Sequence, residues 1–275
     1  MAPLKSKDVT RRAISGVFVV TAILSGIWYG GWLWFAVVAF FSMVSLHEFY
    51  KIVSTQTHIS KGVGYIAAVL VMASTFERLA PISISLTLTL SAFMILMIEI
   101  IRRQSQGFSF AILNVGGTLS GLLYVSVPWC FMLLLRDFPA GRLILISLFC
   151  CTWGCDITSY LIGSRWGQHK LCNRISPNKT FEGLVGGLAG SILTAGVLAF
   201  ALDQGMSPIL WIGIVCGTLG QMGDLAESLL KREAGIKDSG SLIPGHGGAL
   251  DRFDSILING LFTYVLCVVL YSTNN

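Results

Sequence analysis

Charge is what this sequence has least of. Only 12% of its 275 residues are Asp, Glu, Lys or Arg, against roughly 25% in soluble domains, while 54% are hydrophobic and the mean hydropathy is +0.74. A water-soluble surface cannot be built from that ratio, which excludes a soluble enzyme or binding domain. Spaced cysteine pairs are lacking as well. The seven cysteines (Cys130, Cys150, Cys151, Cys155, Cys172, Cys216, Cys267) are odd in number, sit mostly in apolar runs, and read as small packing residues rather than a zinc or redox site. Histidine is scarce, and although His47 precedes Glu48 there is no H-E-x-x-H, so a zinc-peptidase reading of that pair is set aside. Internal repeats and low-complexity tracts are missing too.

What is present is a series of apolar runs along the whole chain, expected to form one all-α, polytopic membrane domain over residues 1–275. A membrane-crossing helix needs about 20 mainly apolar residues, fewer where neighbours bury its ends. Nine stretches qualify: about 13–31, 32–47, 62–76, 81–101, 110–135, 142–162, 183–203, 208–224 and 255–272. The fifth is long and interrupted by Gly116 and Gly117, a place where it could divide. The basic stretch Met1–Arg12 before Ala13–Gly31 resembles a signal peptide, but the run is long for one and lacks a small-x-small cleavage site, so it is taken as the first helix.

Cytoplasmic loops are enriched in Lys and Arg. With the N-terminus inside and nine alternating spans, 16 of the 19 basic residues fall inside, leaving Arg78, Arg136 and Arg142 outside. The net charge of +5 is therefore first a topology signal, with membrane lipids as partners, and it does not imply nucleic acid. Two inside segments, Gly163–Gly183 and Asp224–Asp254, hold 8 of the 19 basic and 7 of the 14 acidic residues. Residues 1–140 are accordingly expected to be scaffold and lipid-contact helices, and 141–275 to carry the polar chemistry.

At the end of the eighth run Asp224, Glu227, Ser228 and Lys231 share one helical face by spacing. Asp224 follows an apolar, glycine-rich run, where an unpaired carboxylate is expensive, so a cation or basic partner is expected beside it. In Ile243–Asp254 (IPGHGGALDRFD) a Pro/Gly turn precedes Asp251 and Asp254, one helical turn apart. Glycines let backbone amides approach an anion, and paired carboxylates hold a hard cation such as Mg²⁺. A charge-paired interfacial loop would use the same residues. His246 serves equally as a structural or a reactive histidine. Asp156 lies well inside the sixth run, where an ionisable residue is either functional or a buried structural carboxylate. Ser176, Lys179 and Thr180 form a donor-rich turn that suits an anion or interfacial anchoring.

At these residues the sequence resembles the phosphatidate cytidylyltransferase (CDP-diacylglycerol synthase) family. Its C-terminal signature is occupied by Ser228, Lys231, Arg232, Lys237, Asp238, Pro244, His246, Gly247, Gly248, Asp251, Arg252 and Asp254. An upstream S-P-x-K-T-x-E-G element is present as Ser176, Pro177, Lys179, Thr180, Glu182 and Gly183, with Asp156 in a preceding D-x-x-x-Y context. The similarity covers roughly the second half. It implies a homodimeric enzyme that joins CTP to phosphatidate, with pyrophosphate leaving, and that uses Mg²⁺ or another divalent cation at the cytoplasmic face of the cell membrane. On this basis Asp224, Asp251 and Asp254 are assigned to metal. Lys179, Lys231, Arg232, Lys237 and Arg252 are assigned to phosphate groups, and Ser228, Asp238 and His246 to orienting roles; Ser176, Thr180 and Asp156 are placed on the substrate side. A CTP-dependent lipid-alcohol kinase would use a similar site, with His246 or Asp238 as base. An ion-coupled transporter using Asp156 and Asp224 is disfavoured by the lack of inverted repeats.

Overall fold

The computed structural model describes residues 6–79, 82–202, 206–240 and 247–272, with the side chains of residues 6–13, 206 and 207 left aside. Helix dominates. In chain order the elements are α1 (Ser6–Tyr29), α2 (Gly31–Val53), α3 (Lys61–Phe76), α4 (Ile82–Gln106), α5 (Ala111–Gly121), α6 (Val127–Arg136), α7 (Gly141–Trp166), β1 (Lys170–Cys172), β2 (Ser176–Thr180), α8 (Phe181–Ala201), α9 (Met206–Glu233) and α10 (Leu250–Ser272). The protein is an all-α, multi-pass membrane protein. Among the described residues seven helices are long and apolar enough to cross a bilayer, and Ile14–Tyr29 and Lys61–Phe76 are shorter apolar helices. Large apolar side chains face outward on these helices, Phe200, Ile112 and Val197 among them, as a hydrocarbon environment permits and water does not.

The fifth apolar run does not divide at Gly116 and Gly117. It continues as Ala111–Arg136, and its irregularity is a single π-helical turn at Leu122–Ser126 joining α5 to α6. Several helices outlast their apolar runs: α9 carries on to Glu233 and α10 begins at Leu250. The charged residues that follow Asp224, and those that precede residue 255, are therefore largely helical.

The chain forms two compact units. One comprises residues 1–133 and 234–251, the other 134–233 and 252–275. In the first, α2 is the buried centre, with Trp34, Val38, Phe41, Leu46, Phe49 and Tyr50 inside. The turn from α1 into α2 uses Gly30 and Gly31, both at positive φ (68° and 53°), a conformation that costs glycine little. Two aromatic polar atoms of the core are paired across helices: Trp34 Nε1 donates to the Met132 carbonyl at 3.0 Å and Tyr50 Oη to that of Thr118 at 2.9 Å. The buried Glu99 carboxylate pairs with Arg102 and accepts from Asn114 Nδ2 at 2.9 Å.

In the second unit α8 packs closely against α7 and α9 through small residues. A Cβ added at Gly186 would strike Ile162, and one at Gly190 would overlap Thr158. On the α9 side Gly213 and Gly217 lie against Ser191 and Leu188, and Ser191 Oγ donates to the Gly213 carbonyl at 2.8 Å. Small residues bring helix backbones together where lipid provides no hydrophobic drive. The close approach places α7, the start of α8 and the polar end of α9 beside one another. All seven cysteines are free, and five are buried, Cys130 in the first unit and Cys151, Cys155, Cys216 and Cys267 in the second, consistent with packing residues.

Candidate active site

The second unit contains a charged cluster built on a feature that apolar periodicity does not reveal, a short β-hairpin. Strands β1 and β2 pair antiparallel, with Lys170 opposite Thr180 and Cys172 opposite Ser176. Thr180 closes the hairpin and opens α8: its buried hydroxyl accepts the Gly183 amide at 3.1 Å as an N-cap. The hairpin is tied down at three points. His169 Nδ1 meets Glu182 Oε1 at 2.6 Å, the His169 amide donates to the same carboxylate at 3.2 Å, and Arg232 Nε reaches from α9 to the Ile175 carbonyl at 3.1 Å. Arg232 thus has a local anchoring contact, and Ser176 sits half-buried at the start of β2.

These ties aim Lys179 at α9. Its Nζ lies 2.7 Å from Asp224 Oδ2 and 3.3 Å from the Gln221 carbonyl one turn earlier. The other Asp224 oxygen accepts from Ser228 Oγ at 3.3 Å. The cation expected beside Asp224 is therefore Lys179, delivered from the hairpin. The pair is not sealed: the Asp224 side chain is 39% exposed and that of Lys179 is 21% exposed. One turn further along α9, the buried Glu227 faces Lys231 Nζ at 3.2 Å.

Two more carboxylates complete the cluster. Asp156, exposed on α7, feels Asp224, Lys179 and Arg252 electrostatically. Asp254, buried in α10, feels Asp224 and Asp156, lies against Glu227, and accepts the Ser255 amide at 2.6 Å. Asp156, Asp224, Glu227 and Asp254 are thus interleaved with Lys179, Lys231 and Arg252. Such a mixture suits an anionic substrate together with a hard cation. Among the described residues no three His, Cys, Asp or Glu side chains converge as a ready metal-holding group. A divalent ion of the Mg²⁺ kind needs only one or two carboxylates beside substrate phosphates, and the oxygen donors of Asp224 and Asp254 fit that requirement.

Asp251 belongs to the first unit. Its carboxylate accepts the Ser239 amide at 3.0 Å and the Gly248 amide at 3.0 Å. Gly247 has φ of 84°. Lys237 and Asp238 are exposed in the segment after α9. His246 lies outside the described residues. One acidic residue near Asp251 escaped the sequence reading: Glu48 of α2 is fully buried and accepts the Leu250 amide at 2.9 Å. The signal was available, because an ionisable residue in an apolar run is conspicuous, as it was for Asp156.

The protein is thus a polytopic helical membrane protein whose second unit carries a cluster of interleaved carboxylates and cations. The cytidylyltransferase family profile matches residues 10–270, and the chain belongs to that family. Over 97% of its length it is 30% identical to a phosphatidate cytidylyltransferase of Synechocystis sp., of which it covers 99%. It is 38% identical to a phosphatidate cytidylyltransferase of Staphylococcus aureus over 54% of this chain and 57% of that protein. For one from Brucella abortus the identity is 41% over 54% of this chain and 56% of the relative.

If Asp156 serves a ligand and not packing, Asp156→Asn lowers turnover at least about tenfold while the yield of monodisperse protein in detergent stays within about twofold of wild type. An active, well-folded Asp156→Asn enzyme would assign the residue to structure.

Proposed function

We infer that this chain transfers the cytidylyl group of CTP to phosphatidate, giving CDP-diacylglycerol and pyrophosphate. The observation that carries the reading is the open Lys179–Asp224 pair, backed by Ser228 and set among Asp156, Asp254 and Arg252. Membership of the cytidylyltransferase family and the names of the relatives support nucleotidyl transfer over the lipid-alcohol kinase alternative.

The chemistry follows from charge. Phosphatidate's phosphate is an anion at neutral pH, so it needs orientation and neutralisation more than a general base. Its oxygen forms a bond to the α-phosphorus of CTP as the bond to pyrophosphate breaks. Lys179 and Arg252 neutralise phosphate oxygens, with Lys231 and Arg232 on α9 as further cations and Lys237 as another candidate. Ser228 holds the Asp224 carboxylate in place, and Asp251 holds the amides of Ser239 and Gly248. Asp224 and Asp254 would hold a divalent cation, whose positive charge would offset the negative charge developing on the leaving pyrophosphate. When CTP enters, Lys179 exchanges its carboxylate partner for a phosphate oxygen. Purified protein given phosphatidate, CTP and Mg²⁺ should release pyrophosphate in step with lipid product and stop in excess EDTA. Pyrophosphate release without phosphatidate, or full activity in EDTA, would contradict the reading.

The placement of basic residues supports a site on the cytoplasmic face of the cell membrane, the inner membrane in a bacterium, with the N-terminus inside and the C-terminus outside. Reporter fusions at the two termini check this: they should report opposite sides, and a common side would require an even number of spans. Family resemblance also supports a homodimer.

A further inference from the structure

A buried carboxylate from the first half of the chain underlies the start of α10, where Asp251 sits. Glu48 sits in α2 with no solvent exposure. Its Oε2 accepts the amide of Leu250, the first residue of α10, at 2.9 Å and the hydroxyl of Ser239 at 3.4 Å. The amide of that same Ser239 donates to Asp251 Oδ2 at 3.0 Å, and the Gly248 amide donates to the same oxygen at 3.0 Å. Glu48, Ser239 and Asp251 therefore form one hydrogen-bonded chain.

The backbone around this chain is shaped for it. A Cβ at Gly240 would overlap Glu48 Oε1, and one at Gly248 would overlap Ser239 Oγ while crowding Glu48 Oε2 at 2.8 Å and Asp251 Oδ2 at 2.9 Å. Both glycines keep the backbone against the two carboxyl groups. A buried ionisable group in an apolar helix is costly unless its hydrogen bonds are made. Packing gives no reason for one here, since a leucine would fill the volume without that cost. The donors Glu48 serves are those on either side of residues 241–246 and at the start of α10, where an acceptor satisfies an amide that has no partner within the helix.

We propose that Glu48 is a positioning residue for cytidylyl transfer: acting through Ser239 and the Leu250 amide, it fixes the start of α10, where Asp251 sits. It touches neither substrate, so its contribution is to kcat more than to substrate affinity. The kinetic side of this inference rests on the proposed function. The hydrogen-exchange side does not.

The test compares Glu48→Leu, which removes the acceptor, with Glu48→Gln, which keeps one, in full-length protein in detergent. Amide exchange at residues 239, 248 and 250 should be at least about tenfold faster in Glu48→Leu, with α2 amides still protected. Its kcat should fall roughly thirtyfold with KM for CTP and phosphatidate within about twofold, whereas Glu48→Gln should keep at least about a third of wild-type kcat. Ser239→Ala should cost about fivefold in kcat on its own and nothing further in the Glu48→Leu background. Unchanged exchange at the three amides in folded Glu48→Leu protein overturns the proposal whatever reaction the protein catalyses. Equal impairment by Gln and Leu, or additive losses with Ser239→Ala, overturns it too. If Glu48→Leu fails to accumulate, Ser239→Ala decides: about threefold faster exchange at residue 239 supports the chain, and wild-type exchange with wild-type kcat refutes it.

Discussion

Asp224→Asn is expected to reduce kcat by at least about a hundredfold, the scale seen when a charged group that stabilises a developing phosphate or oxyanion charge is removed. Asparagine keeps the size of the side chain and an acceptor for Ser228, so α9 should fold unchanged. What disappears is the negative charge 2.7 Å from Lys179 and one of the oxygen donors proposed for the cation. Because Gln221 still offers its carbonyl at 3.3 Å, Lys179 stays near its place, and the loss should fall on the chemical step. Steady-state kinetics on protein that elutes as wild type in detergent checks this. A folded Asp224→Asn enzyme with kcat within about tenfold of wild type would remove the residue from the centre of the mechanism.

A comparable loss, about a hundredfold, is expected for Asp251→Asn, for a different reason. The Asp251 carboxylate accepts two amides, from Ser239 and from Gly248. Both amides donate to Oδ2, whose place an asparagine carbonyl can take, but its NH₂ then replaces Oδ1, which lies 3.3 Å from the Ser239 amide, so that amide would face a donor and the negative charge is lost. Exchange at residue 239 should accelerate together with the loss of turnover. Wild-type exchange in an inactive Asp251→Asn protein would instead assign the residue to direct contact with the reacting groups. Wild-type turnover would deny it any part in the mechanism.

The helices were legible because each is a long apolar run, and composition fixes their class. Their ends were less so. Hydropathy stops at Asp224, but the backbone of α9 is held by its own hydrogen bonds through Lys231 and Arg232 to Glu233, and polar helical turns carry no apolar signal. The hairpin of β1 and β2 was invisible for a related reason: its stability comes from Glu182 bonding to His169 and from Arg232 on the Ile175 carbonyl, contacts between residues that read separately as loop charges. The Asp224 partner was expected in kind, a nearby cation, but spacing gave no means of choosing Lys179, 45 positions earlier in the chain, over Lys231 on the same helix. Glu48 was read only as half of a failed His47–Glu48 metal motif, when burial of the carboxylate was the informative feature. The grouping of residues 234–251 with the first 133 likewise depends on long-range packing, to which local patterns are blind.

The most direct test of the account follows the two ends of the CTP triphosphate in one reaction with phosphatidate and Mg²⁺. Attack at the α-phosphorus predicts that label at the α-phosphate is recovered in the lipid product, while label at the γ-phosphate is released in pyrophosphate. Label from the γ-phosphate in the lipid, with CDP as the other product, would contradict the account and establish phosphoryl transfer instead.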